Sequence, residues 1–229
     1  MKDRYFSETP ITGTSVTLGG SEAHHLLHVM RAKPGTAVTV FDGQGGEWSA
    51  EVMNLGRAEV ELALQEHHAF ERELAHEITL AVCLPKGDRQ RWLIEKVVEL
   101  GVARLIPLTT ERSTQSAAET PAKLTRYVIE ASKQCGRNRL MQIESPQSWS
   151  ELAACRLAAT GILAHPTGQP LPKINSNGPT LLAIGPEGGF TDAEVEQAKE
   201  TNWQVVSLGE RILRIETAAL VLVSNWVMR

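Results

Sequence analysis

Apolar and polar residues alternate through most of residues 15–64, which is the pattern of half-buried β-strands. The alternating runs cover residues 16–18, 37–41, 47–52 and 58–64. A short helix is predicted over residues 22–30. The glycine-rich segment 42–46 lies between two runs, and no helical pattern or Gly-Lys-Ser/Thr sequence follows it, which favours a hairpin turn over a phosphate-binding loop. We therefore predict a small β-barrel domain over residues 1–70.

After the polar segment 65–77, the pattern changes to alternating strands and helices. Strands are predicted over residues 78–84, 103–106, 161–164, 180–184 and 204–207. Helices are predicted over residues 89–100, 122–134, 149–157 and 192–200, with a last helix from about residue 216. Such alternation is typical of a parallel sheet flanked by helices. The sequence therefore predicts an α/β domain over residues 76–229.

The formal net charge of the chain is −4, which by itself does not favour a nucleic-acid partner. The charge is unevenly distributed, however, because residues 85–139 contain 11 Lys or Arg residues against 6 Asp or Glu residues. This basic segment is compatible with an RNA-binding surface. A set of solvated helix faces explains the same asymmetry equally well.

The cysteines and histidines do not form a pattern that predicts a metal site or a disulfide framework. Cys83, Cys135 and Cys155 are far apart and outside any C-x-x-C pair, so we predict three reduced structural thiols. The histidines at positions 24, 25 and 28 lack a Cys or carboxylate at ligand spacing. Packing or RNA contact is the favoured interpretation of these histidines, and no metal is expected.

No membrane association is expected from the distribution of apolar residues. The longest strongly apolar stretch, residues 217–228, is shorter than the ~20 residues that a membrane-spanning helix needs. Residues 1–6 carry charge and lack the apolar segment of a secretory signal. A cytoplasmic location is therefore predicted.

Since the 217–228 stretch is apolar around most of its circumference, it also predicts a helix covered on several sides, as in a homodimer.

Glycine-rich loops follow the predicted strands of the second domain. Gly185-Pro186-Glu187-Gly188-Gly189-Phe190 follows a strand and precedes Thr191 and Glu194, which are spaced as a helix capping box. A second loop spans residues 208–218, and a third candidate, residues 163–166, ends another strand. Ligands bind at the carboxyl ends of parallel strands, and glycine lets them approach the backbone. A tight turn alone is the alternative explanation for the first loop.

Several motifs, in order along nearly the whole chain, carry a resemblance to a known family. They are Arg4-Tyr5-Phe6, His25-Leu26-Leu27-His28-Val29-Met30-Arg31, Phe41-Asp42-Gly43, Pro85-Lys86-Gly87-Asp88, Glu95-Lys96, Glu99-Leu100-Gly101-Val102, Thr110-Glu111-Arg112-Ser113, Gln134-Cys135-Gly136-Arg137, GPEGGF and LGERILRIETA. Together they closely resemble the RsmE family, the ribosomal small-subunit RNA uridine N3-methyltransferases of the SPOUT class.

The resemblance implies a fold and a cofactor. It implies a PUA-like, RNA-binding N-terminal β-barrel and a C-terminal parallel-sheet SPOUT domain with a trefoil knot, in a homodimer. S-adenosylmethionine (SAM) would be the only cofactor, held by the three loops. The implied SAM-binding residues are Leu163, His165, Gly185, Pro186, Glu187, Gly188, Gly189, Leu208, Gly209, Ile212 and Leu213.

The resemblance also implies a substrate, a uridine of 16S rRNA within the small ribosomal subunit. Removal of the uracil N3 proton requires a side chain or water, and an arginine would stabilise the uracil anion. The predicted catalytic residues are Arg137, Arg214 and Glu216. The predicted RNA-binding residues are Arg4, Arg31, Lys86, Arg89, Arg112, Arg126 and Arg137.

Two positions depart from the family pattern, and two other functions remain open. Ile215 stands where a small hydroxylated residue is usual, and Met141 stands near the position of a usual proline. A related SPOUT ribose 2′-O-methyltransferase would normally carry a Ser-Leu-Asn run, which is absent where ILRIETA stands. The other alternative is an RNA-binding ribosome assembly factor that has lost catalysis, although the glycine loops argue against it.

Overall fold

The computed structural model describes residues 3–113, 120–154, 160–171 and 178–227. The chain divides into two compact units. The first contains Met1–Glu73 and Ile129–Leu140, and the second contains Leu74–Val128 and Met141–Arg229. The first unit therefore takes in a short segment from the middle of the chain as well as its N-terminal part.

The first unit is built around a five-stranded sheet. Its strands are β1 (Arg4–Phe6), β2 (Ser15–Leu18), β3 (Ala37–Phe41), β4 (Glu47–Leu55) and β5 (Val60–His68). They lie in the order β1-β3-β4-β5-β2, with β1 parallel to β3 and the other pairs antiparallel. The alternation in the sequence reflects this sheet, because residues such as Val38, Val40, Val60 and Leu62 face the buried core.

Two elements of the first unit differ from the sequence prediction. The predicted helix over residues 22–30 is a short α-helix, α1 (Gly20–His24), followed by a π-helical turn at His25–Val29. Strand β5 continues to His68, into the polar segment 65–77 after which the sequence pattern changes. Cross-strand pairing of Trp48 with His67 extends the ladder, and polar side chains are compatible with an exposed part of a strand.

The second unit is a parallel sheet with flanking helices, as predicted. Its strands are β6 (Ile78–Val82), β7 (Arg104–Thr109), β8 (Gln142–Ile143), β9 (Gln147–Ser148), β10 (Thr160–Pro170), β11 (Thr180–Ile184) and β12 (Gln204–Ser207). They lie in the order β12-β10-β11-β6-β7-β8, with β9 also pairing with β7, and all pairs are parallel. The other helices of the chain are α2 (Asp88–Glu99), α3 (Pro121–Cys135), α4 (Trp149–Ala154), α5 (Asp192–Glu200) and α6 (Ile215–Val227).

Strands β6 and β11 are buried along their whole length, which explains their continuous apolar sequences. Three aromatic rings pack against one part of this sheet. Trp149 lies 5.2 Å from Phe190 and 5.0 Å from Trp203 between ring centroids, in edge-to-face geometry. The glycine loop is therefore anchored in the core through Phe190.

The strand order explains why the candidate loops converge. Strand β10 lies between β11 and β12, and all three run in the same direction. Their carboxyl ends therefore meet at one edge of the sheet, where ligands bind in this class of fold. The trefoil knot that the resemblance implies stays a prediction.

Some sequence predictions fall outside the described residues. These are the continuation of helix α4 to Leu157, the thiol of Cys155 and the last apolar residue, Met228. Among the described cysteines, Cys83 and Cys135 are free thiols, as predicted. Within the described ranges, no helix is long and apolar enough to cross a membrane.

A group of buried ion pairs stabilises the first unit. Glu47 accepts hydrogen bonds from Arg4 and, at 3.2 Å, from Arg72. Arg137 forms a second buried ion pair with Glu73. Burial opposes the charged form of Glu47, but the hydrogen bonds and positive charges of the two arginines outweigh it and lower the pKa of Glu47 below its usual value.

Replacing Glu47 with glutamine should destabilise the protein by about 3 kcal/mol at neutral pH, because it leaves the buried Arg4 guanidinium without its counter-charge. A carboxyl group whose pKa is lower in the folded than in the unfolded state stabilises the fold at pH values above its unfolded pKa. This stabilisation is lost as the pH falls through the folded pKa. The difference from wild type should therefore shrink below pH 4.5, the ordinary glutamate value. Urea unfolding of both proteins across this pH range measures the difference in their free energy of unfolding.

The matched control is Glu95→Gln, which breaks the exposed Arg91–Glu95 pair within one helix. That change should cost less than about 1 kcal/mol, as exposed pairs do. Equal losses in the two variants at neutral pH would show that the Glu47 cluster contributes no more than a surface pair.

Candidate functional site

The glycine loop between β11 and α5 is a tight turn whose residues are fixed by packing. The amide of Gly189 donates to the carbonyl of Pro186 at 2.8 Å, and Gly189 has a φ of +68°. A Cβ at Gly185 would lie 2.9 Å from the ring of Phe190. Glycine is therefore required at position 185 by close packing and favoured at position 189 by the left-handed backbone.

Glu194 fixes the start of helix α5 and ties it to a neighbouring loop. Its carboxylate accepts from the amide of Thr191 at 2.8 Å, and the Thr191 hydroxyl accepts from the amide of Glu194. The capping box predicted from the sequence is thus confirmed. The second carboxylate oxygen accepts from the amide of Glu111 at 2.9 Å. The loop after β7 is therefore attached to the segment that follows the glycine loop.

The two predicted glycine loops and a part of strand β10 surround one pocket of about 140 Å³. Its lining comprises Ala164, His165, Pro166, Ile184, Gly185, Pro186, Glu187, Gly189, Phe190, Leu208, Gly209, Arg211, Ile212, Leu213, Ile215 and Ala218. The prediction that residues 163–166 end a strand is wrong, because β10 continues to Pro170 after its register with β12 shifts between Ala164 and Gln169. Two of the residues predicted to bind SAM lie elsewhere. The side chain of Leu163 is buried in the core, and Gly188 lines the neighbouring cleft. Arg211 also lines the pocket, and although it lies in the predicted loop 208–218 it was not among the predicted SAM-binding residues.

Two glycines of the pocket leave open space beside the backbone. A Cβ placed at Gly189 or Gly209 would meet no atom within 4 Å, and Gly209 has a φ of +111°. Both backbones therefore border open space that a ligand can occupy. The volume is below the roughly 300 Å³ at which small-molecule sites usually begin. A ligand as large as SAM needs this pocket together with the space along its rim.

His165 lines the pocket, and its surroundings favour the neutral imidazole. Its Nδ1 accepts from the amide of Thr167 at 3.3 Å and lies 2.8 Å from the Thr167 hydroxyl oxygen. Burial lowers the pKa of His165 below its usual value. The positive charges of Arg112 and Lys199 lower this pKa further, whereas the negative charge of Asp192 raises it. A neutral side chain avoids repulsion of a cationic ligand such as a sulfonium.

A cleft of about 1050 Å³ adjoins the pocket. It is lined by Cys83, Leu84, Pro85, Lys86, Arg89, Pro107, Leu108, Thr109, Thr110, Glu111, Arg112, Ser113, Pro146, Pro186, Glu187, Gly188 and Ile215. Three residues, Pro186, Glu187 and Ile215, line both cavities and form what we call the shared wall. Three of the predicted RNA-binding residues, Lys86, Arg89 and Arg112, lie in the cleft.

Comparison with known proteins assigns both parts of the chain. The model of the RNA methyltransferase domain matches residues 72–227, and the model of the RNA methyltransferase PUA domain matches residues 18–65. Ribosomal RNA small subunit methyltransferase E of Synechocystis is 33% identical over 92% of this chain and 72% of its own length. The chain belongs to the small-subunit methyltransferase E family.

Solved structures of similar proteins contain the expected ligand. The family member from Neisseria gonorrhoeae, bound to SAM, is 31% identical with a TM-score of 0.89, covering 98% of this chain and 96% of that one. A putative methyltransferase from Legionella pneumophila, in complex with SAM, is 28% identical with a TM-score of 0.87 and the same coverage. In a methyltransferase E protein, the pocket formed by the glycine loops is thus the candidate SAM site.

The three residues predicted to be catalytic differ in their surroundings. Arg214 is exposed and directly precedes Ile215 of the shared wall. Glu216 is buried at the start of α6, and its Oε2 has no hydrogen-bond partner among the described residues. Arg137 lies in the first unit, where it is 4% exposed and paired with Glu73. Their catalytic roles stay predictions.

The remaining predicted RNA contacts differ in exposure. Arg31 and Arg126 are exposed, and Arg31 has a φ of +50° after the π-helical turn. Arg4 is buried, with its guanidinium bound to Glu47 and, at 2.7 Å, to the side chain of Asn138. In this conformation Arg4 holds the first unit together, and a phosphate would have to displace both partners.

Replacing Gly209 with alanine should weaken SAM binding at least about tenfold, because the left-handed backbone is strained for alanine and the new methyl group enters the pocket. The matched control is Gly188→Ala, whose Cβ would make an ordinary 3.5 Å contact with Arg112. It should change the affinity by less than about threefold, or well under 1 kcal/mol. Titration calorimetry measures both; equal weakening would place Gly188 in the SAM site.

Proposed function

We propose that this protein transfers the methyl group of SAM to N3 of a uridine in 16S rRNA of the small ribosomal subunit. The names of its relatives and the SAM-bound neighbours support the class of reaction and the donor. The observation that carries the proposal is the shared wall, since a candidate donor pocket and a larger cleft with three cationic side chains meet at the same three residues.

The shared wall suits transfer between two large substrates. SAM carries an activated methyl group, so the enzyme has only to align donor and acceptor atoms roughly 3 to 3.5 Å apart and help to remove the N3 proton. A donor held by the glycine loops and a base in the cleft would meet at Pro186, Glu187 and Ile215. The residues of this chain thus supply orientation and proton transfer.

The cleft suits an RNA acceptor. Lys86, Arg89 and Arg112 line it, and Lys and Arg side chains neutralise phosphates. A single base can enter when it is unstacked, which RNA loops allow at small cost. Arg214, exposed beside the shared wall, is placed to contact the same RNA. We also propose that the PUA-type unit binds RNA through exposed residues such as Arg31.

We further propose that the enzyme acts as a cytoplasmic homodimer without a metal, in which helices α2 and α6 contribute to the interface. These helices pack against each other, and each exposes a large apolar side chain, Trp92 at 43% and Val221 at 38%. Ile212, at the rim of the pocket, is 96% exposed. Association of two copies would remove such side chains from water.

Replacing Val221 with glutamate should shift the protein from dimer to monomer at micromolar concentration, because a buried unpaired carboxylate opposes association. Solution scattering gives the mass of each form. Met53→Glu, at an exposed apolar position in β4, is the matched control and should leave the mass unchanged. A wild-type protein of monomer mass with full activity would contradict the proposal.

The predicted product is N3-methyluridine, formed in assembled small subunits better than in naked rRNA. Small subunits from a deletion strain, treated with the enzyme and labelled SAM, should yield labelled N3-methyluridine in nucleoside mass spectrometry. Label on a ribose would identify a 2′-O-methyltransferase. Absence of label together with RNA binding would identify an assembly factor, and label on cytosine would also contradict the proposal.

A further inference from the structure

We propose that Arg89 and Glu187 together recognise the uracil edge, with Glu187 accepting the N3 proton and Arg89 donating to an adjacent carbonyl oxygen. This inference rests on the proposed function and assigns roles within it. Glu187 was expected to bind SAM, and Arg89 to bind phosphate.

The geometry of the pair supports this assignment. The Arg89 Nη1 donates to the Glu187 Oε1 at 2.9 Å, although the two residues are 98 positions apart in the chain. Arg89 lies in the first turn of α2 and lines the cleft, and Glu187 lies in the glycine loop. Among the residues that line both cavities, Pro186, Glu187 and Ile215, only Glu187 has a titratable side chain.

The pair is exposed enough to exchange partners. The side chains of Arg89 and Glu187 are 41% and 65% exposed. Exposed ion pairs contribute about 0 to 1 kcal/mol, so opening this pair costs little. A base entering the cleft can replace the hydrogen bond between the two residues with one hydrogen bond to each of them.

The hydrogen-bonding groups of the pair match uracil. Uracil presents an N3–H donor between two carbonyl acceptors, whereas N3 of cytosine and N1 of adenine carry no proton. A carboxylate accepts from N3–H, and the adjacent guanidinium donates to a carbonyl oxygen. The pair therefore favours a base with an N–H beside a C=O, which uracil and guanine have and cytosine and adenine lack. A site whose polar groups would be left unpaired rejects cytosine and adenine strongly.

The proton and the electron pairs balance in one step. The N–H bond of N3 breaks, its proton passes to the Glu187 carboxylate, and the N3 electron pair forms the bond to the methyl carbon. When bound, SAM supplies that methyl group, and the sulfur keeps the electron pair of the broken C–S bond. Arg89 stabilises the negative charge that develops on the uracil carbonyl oxygen. The protonated Glu187 then returns its proton to water.

Other charged groups near the shared wall are less suited to these roles. Glu216 is 7% exposed and lines neither cavity. Arg112 donates to the carbonyl of Gly188 at 2.9 Å and so braces the glycine loop. Glu111 lines the cleft but not the pocket.

The test compares Glu187→Gln and Arg89→Gln with Glu95→Gln and Arg91→Gln. The control pair lies on the same helix, and its Arg91 Nε donates to Glu95 at 2.7 Å. In methylation of deletion-strain subunits, each change in the Arg89–Glu187 pair should lower kcat about 100-fold, as loss of a proton acceptor or anion stabiliser does. The control changes should lower kcat by less than about twofold.

The pH profile separates proton transfer from a structural role. Without Glu187, the N3 proton must leave to solvent, so the rate of Glu187→Gln should rise about tenfold per pH unit between pH 6 and 8, while that of wild type stays flat. Subunits reconstituted with 5-fluorouridine, whose N3 is more acidic, should restore much of the lost rate. Calorimetry should show SAM affinity within about threefold of wild type for Arg89→Gln.

The outcomes distinguish this inference from the proposed function. If wild type makes no N3-methyluridine in these subunits, the proposed function fails and the inference with it. If wild type makes it, but Glu187→Gln keeps a flat pH profile or a rate near that of Glu95→Gln, the inference alone is overturned. A loss in Arg89→Gln that appears only in KM would assign Arg89 to phosphate binding.

Discussion

The position of the glycine loop depends on one buried carboxylate, that of Glu194. It accepts from the amide of Thr191 at the start of α5 and from the amide of Glu111 in the loop after β7. It thereby holds together two loops that are about 80 residues apart in the sequence. The conformational entropy of the chain opposes holding such distant segments together. Arg112 adds a second link through the carbonyl of Gly188. The cleft is consequently lined by two segments whose separation is fixed.

This constraint fixes a short loop that borders both cavities. Gly185 and Gly189 line the pocket, Gly188 lines the cleft, and Pro186 and Glu187 line both. In the proposed reaction, the methyl donor and the base would come into direct contact at this shared edge. Orientation of two substrates in contact is a large source of rate enhancement.

The arginines of the basic segment have two different uses, which net charge could not distinguish. Those at positions 89 and 112 border the cleft and can meet RNA. Arg137 instead forms a buried ion pair with Glu73 in the first unit, as Arg4 does with Glu47. A buried arginine needs a carboxylate partner, because an unpaired charge away from water is strongly unfavourable. The acidic residues that lower the total charge are thus part of the fold.

The sequence by itself determined most of the longer elements and the two glycine loops. Strand β11 and helix α5 have the predicted bounds, and the capping box at Thr191 is present, because periodicity and capping are local properties. Only the tertiary structure decided that Leu163 faces the core, that Gly188 faces the cleft and that Arg89 meets Glu187 across 98 positions. These facts depend on strand order and on contacts distant in sequence, which a linear pattern does not specify.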